Sequence, residues 1–553
     1  MGTYNTPGVY IREIPTLPAS VAQVATAIPA FIGYTEKASN NGVALTKIPT
    51  RISSLIEYEK FFGGPQPETG IDVNVNWNAE GNIAGVSLDP VSTFSKFVMY
   101  YQMQMYFANG GGPCYIVSVG DYSGSVAVGD NNSGLTAGLN AVALEDEPTL
   151  IVFPDAKGMN PGVNEAGFYG LYIQALNQCN TLQDRFTIVD VYSDPANLRT
   201  QLASDYLKYG AAYYPDLQSS LSYTYIDEDI TVAPIFGEYI VTGSINVRYH
   251  GPDTDNPAIT VVEDSTPANA PTFVVGQNNL TIHINSQVST AITDLLTAWA
   301  AHTDKGRFTI TGDDPKNPLD PNTLNIASVP MNYTDTHLAV VATVNTQVYN
   351  QIKAEIAKHS PVLSPSAAIA GVYARTDRDR GVWKAPANTP LANVIAPTVK
   401  ITDAMQDNLN VDAGSGKSIN AIRAFYGKGT LVWGARTLAG NDNEWRYVST
   451  RRLFIMAEES IQKSTGWVVF QPNDARTWIK VKAQIENFLS GLWRDGALAG
   501  AKAEEAFFVN IGLGITMDNQ DILEGRMNIE IGMAAVRPAE FIILKFSHKL
   551  QKS

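Results

Sequence analysis

Residues 527–546 read MNIEIGMAAVRPAEFIILKF, two strand-like apolar runs hinged at Arg537-Pro538. At the other end of the chain, residues 6–14 read TPGVYIREI, a short extended segment opened by Pro7-Gly8. Chain ends are ordinarily polar and frayed unless something ties them down. Apolar, β-prone ends that do not pair only within their own subunit add strands to neighbours' sheets. That reading makes the protein a building block of a polymer rather than a solitary catalyst. The residues predicted to carry the linkage are Pro7, Gly8, Val9, Tyr10 and Ile11 at one end, and Phe541, Ile542, Ile543 and Leu544 at the other.

The 553 residues suffice for two to four domains, and 44% hydrophobic residues exclude a disordered chain. No run approaches the roughly 18 to 20 apolar residues of a membrane span, so direct membrane insertion is not expected. MGTYNTPGVYIREIP lacks a basic region followed by an apolar core, which predicts assembly in the cytoplasm of the producing cell. Cys114 and Cys179 are too few for a disulfide framework and read as buried apolar fillers in a reducing compartment. The net charge of -15 is uneven. Residues 371–553 carry 23 Lys+Arg against 19 Asp+Glu, so by subtraction from 39 and 54 residues 1–370 carry 16 against 35. Either the basic part faces a partner or the charge is scattered between domains. The basic residues form no run and no aromatic-basic module, so nucleic acid is not an expected partner.

VAQVATAIPAFIGYTEKA (21–38) reads as a strand ending near Gly33, and TRISSLIEYEKFFGG (50–64) as a short helix stopped by Gly63-Gly64. Residues 92–120 give a helix, a Gly-rich turn and a strand, with Met99, Met103, Tyr106 and Phe107 on one core-facing helical stripe. TLIVFP (149–154) and RFTIVDVYSD (185–194) are strands around a helix at 168–182, and 205–217 reads as helix, strand and turn. Such alternation predicts an α/β layer with parallel strands. From about 220 the texture changes to short alternating runs such as EYIVTGSINVRYH (238–250), TFVVG (272–276) and LTIHINS (280–286). This reads as a β-rich, sandwich-like insertion. Helical pattern resumes at TQVYNQIKAEIAKHS (346–360), which makes the α/β domain discontinuous. Beyond residue 398, GKGTLVWGART (427–437) reads as a strand and STRRLFIMAEESIQKSTG (449–466) as a helix capped by Ser449 or Thr450. WVVFQPN (467–473) reads as a strand, 474–498 as a long helix capped by Asn473 or Asp474, and 506–516 and 527–547 as strands.

The expected fold class is therefore multidomain, α/β and α+β. An extended arm (1–20) precedes a discontinuous α/β domain (21–219 and 337–397). A β-rich insertion (220–336) interrupts it, and a C-terminal α+β domain with strand-exchanging arms (398–553) follows.

Candidate chemistry is sparse. DAGSGKS (412–418) resembles a phosphate-binding loop, but the required first glycine is Val411, and neither a preceding apolar strand nor a long following helix is apparent. It reads as a surface loop. The six histidines show no paired ligand spacing, and no serine sits in a GxSxG elbow. Asp155 and Asp190 fall at strand C-termini, where α/β active sites form. Without a histidine or cysteine partner nearby they read as capping or turn residues. RTDRDRGVWKAPAN (375–388) is the densest charged stretch, either a solvated loop or an ion-pair cluster at a subunit seam, with Trp383 as a buried anchor and Pro386 as a rigid turn. No catalytic residue, cofactor or metal is assigned. The rival classes are an α/β enzyme of hydrolase type and a secreted β-rich adhesin or surface-layer protein. The first would need a nucleophile–base pair or an intact phosphate loop, the second an export signal.

TPGVYIREI, AFIGYT (30–35), GGPCYIVSV (111–119), GVWKAPAN (381–388), WRYVSTRRLFIMAEESI (445–461) and ILEGRMNIEIGMAAVRPAEFIILKFS (522–547) together resemble the sheath protein of contractile phage tails and related bacterial contractile injection systems. The resemblance implies a structural, non-enzymatic subunit in a homo-oligomer, a helical stack of hexameric rings around an inner tube. Partners would be the tube protein, a baseplate and a terminator or cap protein, within a phage virion tail or a bacterial injection particle. It also implies that 220–336 is a variable, outward-facing insertion, and that both arms complete the sheet of a neighbour's C-terminal domain. Contraction would drive the tube through a target envelope. The inner face must release the tube, so charge complementarity suits it better than a large apolar patch. The predicted tube-facing residues are Arg451, Arg452, Lys463, Arg476, Lys480 and Lys482.

Overall fold

Five apolar runs, PAFIG, CYIVS, LIV, FTIVD and GAAYY, become parallel strands in the computed structural model, and all but Tyr214 of their residues are buried. Continuous burial on both faces is what a parallel sheet covered by helices demands, and it explains why these runs do not alternate. The structure describes residues 20–90, 92–159, 165–241, 245–264, 270–285, 290–312, 318–319 and 326–543. The expected N-terminal arm, Pro7 to Ile11, and Leu544 at the other end lie outside them.

The chain divides into two compact units. The first takes residues 1–65, 96–221 and 361–553. Its nine-stranded sheet runs in the order Thr389–Pro390, Gly429–Val432, Ile419–Phe425, Gly210–Tyr214, Phe186–Asp190, Leu150–Val152, Pro29–Gly33, Cys114–Ser118 and Thr50–Ile52. The central strands pair in parallel, and antiparallel strands close both margins. Helices Met99–Ala108, Gly134–Val142, Glu165–Leu182 and Ser366–Arg380 pack on it. Ile419–Phe425 and Gly429–Val432, assigned from sequence to a separate C-terminal domain, extend this sheet instead. Ile419 pairs with Ala212, which continues the parallel ladder across the expected boundary at 398.

The carboxylates of Asp155 and Asp190 are buried. Asp155 accepts from the main-chain N–H groups of Val98 and Met99 at 2.7 and 2.9 Å, at the start of helix Met99–Ala108, and from Tyr34 N–H at 2.7 Å. Asp190 accepts from the N–H and hydroxyl of Ser366, the first residue of helix Ser366–Arg380, at 3.1 and 2.6 Å. Both are tertiary helix caps. Burial pushes the Asp155 carboxyl up to about 7 against the pull of its three N–H donors, and Asp190 up to about 6. A raised folded-state pKa means the native state holds a proton that the unfolded chain releases near pH 4, so this stability is lost as pH rises from about 4 to about 7. Asp155→Asn should flatten that part of the stability–pH profile in urea unfolding. It should also lower stability at pH 5 by about 1–3 kcal/mol, since its amide NH2 leaves an N–H of the cap unmatched.

The rest of the first unit is a helical layer. Val448–Ser464 and Ala475–Arg494 bury Leu453, Met456, Ala457, Val481, Ile485 and Leu489 in one apolar cluster, which the antiparallel pair Phe507–Asn510 and Glu530–Met533 also joins. Asp474 caps the second helix, accepting from Arg476 and Thr477 N–H. The first helix starts after Tyr447 with no side-chain cap, and the Ser449 and Thr450 hydroxyls, expected as caps, are buried two and three residues too late without a hydrogen-bond partner among the described residues. WVVFQPN is not a strand. Residues Gly466–Val468 form a 3-10 turn, and Gln471 N–H returns to Val468 carbonyl, so local turns consume the donors a ladder would need.

The second unit takes residues 66–95 and 222–360. It begins close to the boundary read at 220 but runs on past 336, and it recruits 66–95 because Thr231–Val232 pairs in parallel with Asp72–Trp77. One apolar cluster holds Ile71, Val73, Ile230, Val232, Leu338, Val341 and Ile352. The other lies between a three-stranded sheet (Gly237–Val241, Ile245–Tyr249, Phe308–Gly312) and a four-stranded one (Thr272–Val275, Asn279–Asn285, Ala258–Asp264, Ile326–Pro330). Helix Ile292–Ala301, not anticipated, supplies Ile292, Leu295 and Trp299 to that cluster.

Candidate functional site

Residues 21–28 were expected to belong to the first strand, yet the ladder begins only at Pro29. Their main-chain groups go to side chains instead. Ala22 N–H donates to Ser464 Oγ at 3.2 Å, Val24 N–H to Ser460 Oγ at 3.1 Å and Ile28 N–H to Thr149 Oγ1 at 2.9 Å. Between them the Thr26 hydroxyl donates to Asp377 at 2.6 Å, and Arg452 Nη2 donates to the Thr26 carbonyl at 2.7 Å. Every second residue from 22 to 28 is fastened, the two-residue repeat of an extended chain. Residues 22–28 are thus tied to helix Val448–Ser464, to Asp377 and to Thr149.

Arg452 is the centre of this fastening. It is 3% exposed, forks onto both oxygens of Asp377 at 3.0 and 2.5 Å, and lies 4.6 Å over the Tyr373 ring. Arg451, 2% exposed, pairs with Glu458 at 2.6 Å and stacks over Trp445 and Tyr209 at 4.4 and 5.1 Å. Neither guanidinium is available to a tube, which corrects the expectation for both. Lys463 bonds Glu459 and Asp146 at 2.7 and 2.8 Å and is half-buried. Arg476 is 88% exposed beside its cap Asp474, Lys480 is exposed, and Lys482 is 43% exposed, 3.7 Å from Glu486. Arg476, Lys480 and Lys482 remain as basic groups on the outer side of helix Ala475–Arg494.

At the other end, Arg436 and Tyr447 hold Glu540, and the chain then emerges into solvent. Phe541, Ile542 and Ile543 are 72%, 79% and 80% exposed. They pair in no strand among the described residues. The pair Phe507–Asn510 and Glu530–Met533 stands as a two-stranded sheet among the described residues, with Phe508 half-exposed on its margin.

The remaining candidates resolve locally. Lys417 of the DAGSGKS stretch is 9% exposed and donates to Arg199 carbonyl at 2.6 Å. Helix Asp403–Asn410 precedes the stretch and strand Ile419–Phe425 follows it, the reverse of the order a phosphate loop requires. The stretch at 375–388 is neither purely solvated nor purely paired. Asp377 is buried against Arg452, Arg375 donates to Pro390 carbonyl, and Arg378 reaches Gly110 carbonyl and Asp379 near the surface. Trp383 joins the helical cluster. Cys114 and Cys179 are buried, and burial pushes the Cys179 thiol up to about 12. No group of three His, Cys, Asp or Glu among the described residues is placed to hold a metal, and no helix among them is long and apolar enough to cross a membrane.

Comparison with known proteins converges on one family. Residues 440–549 match the phage tail sheath C-terminal domain. The tail sheath protein of Enterobacteria phage T4 is 26% identical over 191 residues, 34% of this chain and 28% of that protein's length. A chain in the cryo-EM structure of the anti-feeding prophage (AFP) baseplate is 27% identical, covers 99% of this chain and 100% of its own, and superposes with a TM-score of 0.55. The AFP helical sheath in its contracted state gives 27% identity, the same coverage and a TM-score of 0.54.

Proposed function

We propose that this chain, with its tail sheath C-terminal domain and its full-length likeness to AFP sheath structures, is the structural subunit of a contractile sheath. The observation that carries the reading is the tail at Phe541 to Ile543, three consecutive apolar residues projected into solvent immediately beyond a fixed Glu540. A β-prone run presented in this way meets its need for ladder partners on another copy. The acceptor is the two-stranded sheet of a neighbour, Phe507–Asn510 with Glu530–Met533. Donor and acceptor are different surfaces, so the contact is heterologous, and repetition generates rings and helical stacks rather than a closed dimer.

Strand addition makes several main-chain hydrogen bonds at once, and the joint survives rotation of the bodies it connects. Rings of six stacked around an inner tube would convert a difference of a few kcal/mol per subunit between two packings into movement of that tube. The tube contact falls to Arg476, Lys480 and Lys482, since Arg451 and Arg452 are consumed inside the subunit and Lys463 is held between Glu459 and Asp146. Exposed cations hold a partner reversibly and weaken with salt, as a surface that must let go requires. The baseplate, a terminator and the tube protein are the proposed heterologous partners, and chemistry by a catalytic site has no part in the cycle.

Negative-stain microscopy of the protein expressed alone tests this reading. Long hollow tubules with a cogwheel cross-section, in the contracted lattice, are expected. A protein that remains monomeric at high concentration would refute it.

A further inference from the structure

The last fixed residue before the exposed tail is held by an unusually complete set of bonds. Arg436, 4% exposed, donates from Nε to Glu540 Oε1 at 2.9 Å and from Nη2 to Oε2 at 2.5 Å. Tyr447 hydroxyl donates to the same Oε2 at 3.1 Å. The guanidinium is itself fixed, since Nη1 donates to Asn410 carbonyl at 3.1 Å and the Arg436 main-chain N–H donates to Asn420 Oδ1 at 2.7 Å. A forked arginine–carboxylate pair fixes direction as well as position. Beside it lies a cleft of about 550 Å3, with Asp403, Arg423, Trp433 and Tyr447 on one side and the chain from Pro538 to Ile542 as its other wall. Although they border this cleft, Phe541 and Ile542 stand 72% and 79% exposed.

We propose that Arg436, Tyr447 and Glu540 form a clasp that sets where and in which direction the chain leaves its own body, presenting Phe541 and Ile542 to a second copy. The inference rests on the sheath reading and adds the positioning residues that aim the tail for donation. Arg436 lies 104 residues before Glu540, so the clasp exists only once the large sheet and its Ile419–Phe425 strand are in place. The direction of the tail is therefore a property of the folded subunit alone.

The test compares full-length wild type, Tyr447→Phe, Glu540→Gln and the pair Arg436→Met with Glu540→Gln. Pelleting across a concentration series gives the critical concentration for polymerisation, and urea unfolding of the soluble fraction gives subunit stability. Glu540→Gln should raise the critical concentration about tenfold, as loss of one charge-assisted fork does, and Tyr447→Phe by less. The double variant leaves no unmatched buried charge, so it should keep a near wild-type urea midpoint while polymerising as poorly as Glu540→Gln. A purely structural pair would instead move the midpoint and leave the critical concentration of folded subunits unchanged. If wild type polymerises and the double variant does so equally well, the clasp is refuted alone. If wild type never pellets, the sheath reading fails and the clasp inference falls with it.

Discussion

Arg452→Ala should be among the most damaging single substitutions in the chain, lowering stability by about 3–5 kcal/mol. The guanidinium is 3% exposed and Asp377 6%, so alanine would leave a carboxylate buried without its counter-charge. It would also strip the Thr26 carbonyl of its donor and uncover the face of Tyr373. Desolvation of the stranded charge, rather than the lost attraction, sets the size of the effect. Two comparisons isolate this cause. Asp377→Asn, which keeps the shape and removes the charge, should cost nearly as much, because Arg452 is then the stranded ion. Arg452→Met combined with Asp377→Leu should recover much of the loss, since two apolar groups of similar size need no partner. Urea unfolding of the three variants measures this. Hydrogen exchange should show residues 22–28 opening in Arg452→Ala even below the unfolding transition, because the fastening of alternate residues fails at its centre. A shift under 1 kcal/mol for Arg452→Ala would mean that water reaches Asp377 and that the pair is superficial.

The misplacement of Arg452 shows where sequence reasoning stops. Strands such as FTIVD and CYIVS are legible because parallel strands are buried on both faces and need only apolar residues, whatever their partners. The long helices are legible from period, and Asp474 from its position before a helix that begins ARTWIKV. In helix Val448–Ser464 the same period was available. Ser449, Arg452, Leu453, Met456, Ala457, Ser460 and Ile461 follow the spacing of a buried stripe, and all are buried. Charge outweighed spacing in the reading, since arginine is almost never fully buried unless paired, and its partner Asp377 stands 75 residues away. Helix Ile292–Ala301 was hidden in a similar way. Its apolar residues at 292, 295, 296 and 299 are helical in spacing, but they sit among Thr- and Asp-rich strands whose composition dominated. Glu540 offered no signal at all, because PAEF has no period and Arg436 is far away in sequence. The roles of Asp155 and Asp190 were half legible. Their place at strand ends implied capping, but the helices they cap, at 99 and 366, were set by the topology of the sheet.

Removing residues 541–553 should abolish tubule formation while leaving the folded subunit intact. The two effects separate because Phe541, Ile542 and Ile543 are 72–80% exposed and contribute little to their own body, so the unfolding free energy in urea should stay within about 0.5 kcal/mol of wild type, as for surface changes. In a polymer the same side chains would be buried on a neighbour, each with about 1.5–3 kcal/mol of apolar transfer at stake, alongside a row of main-chain hydrogen bonds. Ile542→Pro provides a single-residue version, since it deletes one ladder N–H and imposes a backbone a central strand rejects. It should impair assembly nearly as strongly as the truncation. The heterologous character of the joint makes a further demand on the truncated subunit. It keeps Phe507–Asn510 with Glu530–Met533 and can accept a strand, but it has no tail to donate. Mixed in at a minor fraction, it should therefore occupy the growing structure and stop it, shortening wild-type tubules out of proportion to its abundance. An inert bystander would leave the length distribution unchanged, and an arm that only decorates the surface would leave truncated subunits forming regular tubules by themselves. Either result would place the polymer contact elsewhere on the subunit.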